Sequence, residues 1–229
     1  MFHHVFRTVT CLSLIVLGVS TASAADLDVY REFKLGATTA DVLTLARLPV
    51  SNIRTLHERP ALLQELTWRP SSSFGRDMSD FDSVRGLTFS FMNDELFKIV
   101  IEYDTNRTEG LTREDLITSL SVPYGPRSRL ATQSRMPANQ QLDAAVVVAQ
   151  WRDDRTLVSL LESDYRGGFS LVITRLAAES KAREALASAV ALDNREAPAR
   201  EAARVKDEAA AAKAAADKTR TTNKATFEP

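Results

Sequence analysis

The chain has 229 residues, with 29 Lys and Arg against 30 Asp and Glu, 44% apolar residues and one cysteine. So even a charge balance excludes the surfaces that bind nucleic acid or an anionic membrane, because those work by neutralising phosphates with a basic excess. A single cysteine excludes an internal disulfide and a zinc site built from several thiolates.

Residues 1–24 read as a secretory leader. Met1–Thr8 is weakly basic, with Arg7 beside His3 and His4, and Val9–Val19 is apolar. Thr21-Ala22-Ser23-Ala24 then places small side chains at −3 and −1, which predicts cleavage before Ala25. An apolar run of about 11 residues is too short for the roughly 20 that cross a bilayer. Cys11 lies inside that run rather than at the cleavage point, so the processed chain is expected to be cysteine-free and not lipid-anchored. The predicted location is periplasmic or secreted. Loss of Arg7 leaves 28 basic against 30 acidic residues, a net charge near −2.

The body opens with a helix signal at Thr38, whose hydroxyl can cap the first turn while Asp41 reaches back. Val42, Leu43, Leu45 and Ala46 give that helix its apolar face, and Pro49 lies just beyond it. A brief strand is predicted at Leu66–Trp68. Leu87, Phe89 and Phe91 alternate with polar residues, as do Phe97, Ile99, Ile101 and Tyr103, the period-2 pattern of half-buried strands. Asn93-Asp94 between them suits a two-residue turn, since both tolerate positive φ. A second capped helix is predicted from Thr112 and Asp115 through Leu116, Ile117 and Leu120 to Pro123. Three strands follow at Ala145–Trp151, Thr156–Leu161 and Phe169–Ile173, with Gly167-Gly168 as a turn.

The two halves correspond. Gly36-x-Thr38-x-x-Asp41-Val42-Leu43 matches Gly110-x-Thr112-x-x-Asp115-Leu116-Ile117, and Trp68-Arg69 and Trp151-Arg152 fall on the first predicted strand of each half. The expected fold is α+β: two helix-then-three-strand (αβββ) repeats, 25–105 and 106–175, joined in one antiparallel sheet with both helices on one face. This glycine, capped helix and three strands resemble the domains of the β-lactamase-inhibitor protein and the SmpA/OmlA lipoprotein of the outer-membrane barrel-assembly machinery. The resemblance implies a non-enzymatic envelope or secreted module that binds proteins through its sheet. The chain departs from both, lacking the anchoring cysteine of one and the disulfides of the other.

Beyond residue 175 alanine and charge take over, and 176–229 is predicted as an Ala-rich helical tail. It is read as two helices, Leu176–Leu192 and a second with Pro198 in its first turn. Ala202, Val205, Ala209, Ala212 and Ala216 fall at 3–4 spacing, which reads either as a solvated alanine-rich helix, since methyl groups bury little area, or as a seam by which the tail can pair with another copy or another protein. Asp193-Asn194-Arg195-Glu196-Ala197-Pro198 through Phe227-x-Pro229 resembles the tails of exported proteobacterial proteins.

No residue set in the sequence points to catalysis, a cofactor or a metal. His57, the one histidine after the leader, is expected at a surface or helix end and has no Gly-x-Ser-x-Gly elbow to serve. Asp77, Asp80 and Asp82 form an acidic knot without the calcium-loop frame. Glu102 with Asp104, or Asp153 with Asp154, supplies the carboxylate pair that a cell-wall hydrolase would need. Tyr124-Gly125-Pro126-Arg127 reads as a turn, and Asn106-Arg107-Thr108 as a glycosylation acceptor. The expected function is a non-catalytic binding module for an envelope protein or cell-wall component. Trp68, Trp151 and Val205 are its candidate contact residues. A carboxylate hydrolase and a spacer or homo-oligomer built through the tail are the alternatives.

Overall fold

A computed structural model describes residues 26–69, 83–128, 135–136, 145–163 and 168–226. The leader with its cleavage site, the Asp77, Asp80 and Asp82 knot, Gly167 and the last three residues lie outside the described residues.

The elements run β1 (Val29–Tyr30), β2 (Phe33–Lys34), α1 (Thr39–Ala46), a single 3-10 turn (Val50–Asn52), β3 (Ile53–His57), β4 (Leu63–Trp68), β5 (Val84–Met92) and β6 (Glu95–Tyr103). They continue with α2 (Thr105–Thr108), α3 (Arg113–Tyr124), β7 (Arg135–Met136), β8 (Ala145–Arg152), β9 (Thr156–Ser163), β10 (Phe169–Arg175) and α4 (Leu176–Thr226). β1 and β2 form a small hairpin, and the other eight strands form one antiparallel sheet in the order β3-β4-β5-β6-β10-β9-β8-β7. That order is a palindrome. Each repeat contributes four strands outward from the centre, one more than the sequence pattern indicates, because β3 and the two-residue β7 carry too little alternation to be read.

Both repeat helices start as their sequences dictate. Thr38 Oγ1 accepts from Asp41 N at 3.2 Å and Thr38 N donates to Asp41 Oδ2 at 3.2 Å. Thr112 and Asp115 repeat the exchange at 3.2 and 2.8 Å. Such a box satisfies two of the N–H groups a helix start leaves free. Gly36 and Gly110 precede the boxes with φ of +91° and +79°, a conformation that glycine adopts without strain. The β5–β6 turn is the expected one: Asn93 and Asp94 have φ of 50° and 68°. Its side chains are also used, Asn93 Oδ1 accepting from Leu62 N at 3.0 Å and Asp94 Oδ1 from Thr39 N at 3.0 Å.

The duplication is written into the strand register. One cross-strand row reads Trp68, Leu87, Ile101, Leu171, Leu160, Ala149; the next reads Leu66, Phe89, Ile99, Ile173, Val158, Trp151. A two-fold rotation about the β6–β10 boundary exchanges the rows and superposes the two tryptophans. All twelve side chains are buried and belong to one cluster with Val42, Leu43 and Ala46 of α1 and Leu116 and Ile117 of α3. Both repeat helices therefore cover the same face of the sheet, called the front. Each filled row is a run of cross-strand pairs, the unit from which sheet stability is built.

The tail departs from its reading in two ways. α4 is one continuous helix of 51 residues with Pro198 inside it, rather than two helices. Alanine on both sides is the strongest helix former, and the Arg200 guanidinium donates at 3.0 Å to both the carbonyl and the carboxylate of Asp193, one turn ahead of the proline. Nor is the tail wholly separate: its first part lies on the back of the sheet, where Ala182 packs with Leu63 and Phe97.

Candidate functional site

A β-bulge creates the site. Ser90 pairs with Lys98 and Phe91 with Leu96, so Phe97 is an extra residue in β6, and both Phe97 and Lys98 turn to the back. At the equivalent place in the second repeat, Phe169 and Ser170 pair with Glu162 and Leu161 without a shift, and Phe169 stays in the front cluster. Over this back surface α4 presents Ala178, Ala182, Ala185 and Ala189 at helical spacing. Methyl groups cannot fill the space down to the aromatic side chains, and a groove of about 600 Å³ remains. Leu56, Leu63, Phe91, Phe97 and Leu186 give it an apolar interior; Arg54, Lys98, Glu179 and Arg183 supply its charge.

Lys98 Nζ lies 3.8 Å from Glu179 Oε2, and Arg183 Nη2 lies 3.7 Å from Glu179 Oε1. Both contacts exceed hydrogen-bond length, so one carboxylate is shared by two cations without satisfying the donors of either. Lys98 is the less exposed of the two cations, its side chain 17% exposed. Its ammonium also sits 5.9 Å from the Phe97 ring centre.

His57 separates this groove from a second hollow of about 340 Å³ bounded by Arg59, Leu192, Asp193 and Arg200. His57 is the last residue of β3, not a helix-end or loop residue, and its Nδ1 is 3.5 Å from Asp193 Oδ2. With Arg59–Glu196 at 2.9 Å it ties α4 to the edge strand where the helix leaves the body. Such exposed pairs contribute at most about 1 kcal/mol each.

Of the candidate contact residues, both tryptophans are interior. Trp151 is 1% exposed and Trp68 8%, so neither indole offers a partner much surface. Trp151 Nε1 donates to Gly125 O at 2.8 Å, which gives Tyr124-Gly125-Pro126-Arg127 its role as the turn that closes over the core. Val205 stands on the exposed part of α4, at 52% exposure.

Three of the four carboxylates weighed for hydrolysis are engaged within the fold. Asp104 caps α2, accepting from Asn106 N at 2.9 Å and Arg107 N at 3.2 Å, and Glu102 pairs with Arg85 at 3.1 Å. Asp153 accepts from Arg155 N at 2.8 Å and Thr156 N at 2.6 Å in the β8–β9 turn. Thr108, of the glycosylation acceptor, is buried with its hydroxyl donating to Asp104 O at 3.0 Å. Burial pushes the phenols of Tyr30, Tyr103 and Tyr124 up, which keeps this cluster under the β1–β2 hairpin protonated and neutral. Among the described residues no cluster of His, Cys, Asp and Glu is arranged to hold a metal. None of their helices is long and apolar enough to cross a membrane.

The groove was not legible in the sequence. Phe97 and Lys98 are adjacent, and strict alternation sends them to opposite faces; only the bulge puts them together. Fold and site define an α+β protein with a duplicated antiparallel sheet, a helix clamped to its back and an open groove between them. No family model, curated protein or solved structure matches the chain.

Proposed function

We propose that the protein is a non-catalytic binding module that works outside the cytoplasm and captures its ligand in the groove between α4 and the back of the sheet. The groove carries this reading: its volume falls in the range of small-ligand sites, and it joins an apolar interior to a few charged groups. Export rests on the leader pattern of residues 1–24. The resemblance to envelope and secreted αβββ modules agrees with a binding role.

Native mass spectrometry of protein purified from the envelope fraction tests both parts. The chain should begin at Ala25 and carry a bound mass that Leu186→Trp, which fills the groove, displaces. An intact Met1 ends the export proposal. No retained mass in either form, with no ligand taken up on addition, ends the groove proposal.

A specific observation favours a second, compatible role for the tail as an assembly element. From Ala197 to Thr226 every residue of α4 is exposed, a rod of roughly 45 Å at about 1.5 Å per residue. Beside its seam of Ala202, Val205, Ala209, Ala212 and Ala216, acids Glu201 and Glu208 take one flank and Lys206 and Lys213 the other. In a parallel pair of copies, Glu201 faces Lys206 of the second copy and Glu208 faces Lys213; an antiparallel pair sets like charges together. Wild-type protein is expected to weigh as a dimer in sedimentation equilibrium and Glu201→Lys/Glu208→Lys as a monomer. Equal masses for the two would remove this role.

A further inference from the structure

We infer that the ligand of the groove is a single-chain amphiphile with one carboxylate, of the long-chain fatty-acid kind; the inference rests on the proposal that the groove is the binding site. Three cations border the groove. Lys98, Arg54 and Arg183 donate no hydrogen bond to any described residue. The one carboxylate neighbour of the Lys98 ammonium stands 3.8 Å away, beyond hydrogen-bond length. An anion entering from the groove can accept from these cations, and charge-assisted bonds are the strong ones.

The rest of the ligand follows from the lining. Against these three cations the lining sets one carboxylate, Glu179, and the resulting positive excess suits an anionic head such as a carboxylate. Leu56, Leu63, Phe97 and Leu186 suit a hydrocarbon body. A neutral apolar ligand displaces water from Lys98 and gives nothing in return. A cationic one meets like charge. The groove also differs from its counterpart in the duplicated half, where serine (Ser170) stands at the position of Lys98, so the anion-binding group belongs to the first repeat alone.

Isothermal titration of the purified protein with dodecanoate, dodecyltrimethylammonium and dodecyl maltoside, each below its micelle concentration, tests the inference. Dodecanoate should bind at one saturable site, at least about tenfold tighter than the other two. Lys98→Met should weaken dodecanoate about tenfold, leave dodecyl maltoside unchanged and, by removing a like charge, not weaken dodecyltrimethylammonium. Should Lys98→Met fail to fold, Arg54→Gln at an exposed strand position is expected to weaken dodecanoate roughly two- to fivefold. Equal affinity for all three amphiphiles overturns the carboxylate inference while the groove stands as a binding site. Binding of none overturns both.

Discussion

The two repeats share a front and differ at the back. On the front, the rows that start at Trp68 and Trp151 are interchangeable by a two-fold rotation, and each repeat lays one capped helix across them. On the back, the first repeat has a bulge in β6, a phenylalanine packed under α4 and a half-buried lysine; in the second, β10 pairs without a shift, the bulge falls in β8 instead, and a small cluster of Val100, Ala145, Val147, Leu161 and Val172 straddles the boundary. The lesson is that a shared front is compatible with different bulges in the two halves, and the one at Phe97 decides what the back of the first repeat presents to α4. The front is a shared core, and the back of the first copy is where α4 packs.

The comparison breaks most decisively at the tryptophans. Trp151→Ala is expected to cost about 3–5 kcal/mol of stability in denaturant titration, as for large aromatic truncations in cores. Trp68→Ala should cost less, since Trp68 is slightly exposed while Trp151 is enclosed and also holds the Gly125 carbonyl. A larger loss at Trp68 would show that the first repeat, not the second, dominates the shared core.

Next come the glycines that open each repeat. Alanine at Gly110 meets open space and is penalised only by its positive φ, about 1 kcal/mol. Alanine at Gly36 has the same penalty and also places its Cβ 3.0 Å from the Arg175 guanidinium. That guanidinium donates to Leu35 O at 2.9 Å and pairs with Glu95, so displacing it loosens the junction from which α4 departs; the total is roughly 2 kcal/mol. Thermal melts of the two variants that coincide would remove the asymmetry.

The smallest effect should be shared equally. Thr38→Ala and Thr112→Ala should each cost about 1 kcal/mol, because the two boxes make the same bonds. Hydrogen bonds from the Thr38 hydroxyl and then its N–H hold the Asp41 carboxyl below the usual range, and those from the Thr112 N–H and then its hydroxyl do so for Asp115. A depressed carboxyl stabilises the fold above its unfolded pKa of about 3.9, and that contribution fades as pH falls through the lower folded value. Circular dichroism melts at pH 5 and pH 3 should therefore show a pH-dependent loss in wild type that shrinks by the same amount in either single variant.

How much was readable varies along the chain with the range of the interaction that decides each piece. The capping boxes and the Asn93-Asp94 turn act within three or four residues, so their residue types announce them. The long central strands carry enough alternation to be seen, and the matched Gly-x-Thr-x-x-Asp segments and tryptophans expose the duplication. β3, β7 and the β1–β2 hairpin are too short to show a period. Asp104, Asp153 and His57 could be picked out as chemically interesting, yet their partners are set by chain folding, and each is engaged in a cap, a turn or a clasp.

The sequence by itself determined the local starts and stops, the alternating strands and the α+β class, because side-chain periodicity and capping chemistry are local and nearly independent of context. Tertiary structure alone decided which way Phe97 and Lys98 face, which side of the sheet α4 crosses, and how much space its alanines leave. Those depend on register between strands and on packing between elements far apart in the chain, and a single shifted pairing reverses the face of every residue beyond it.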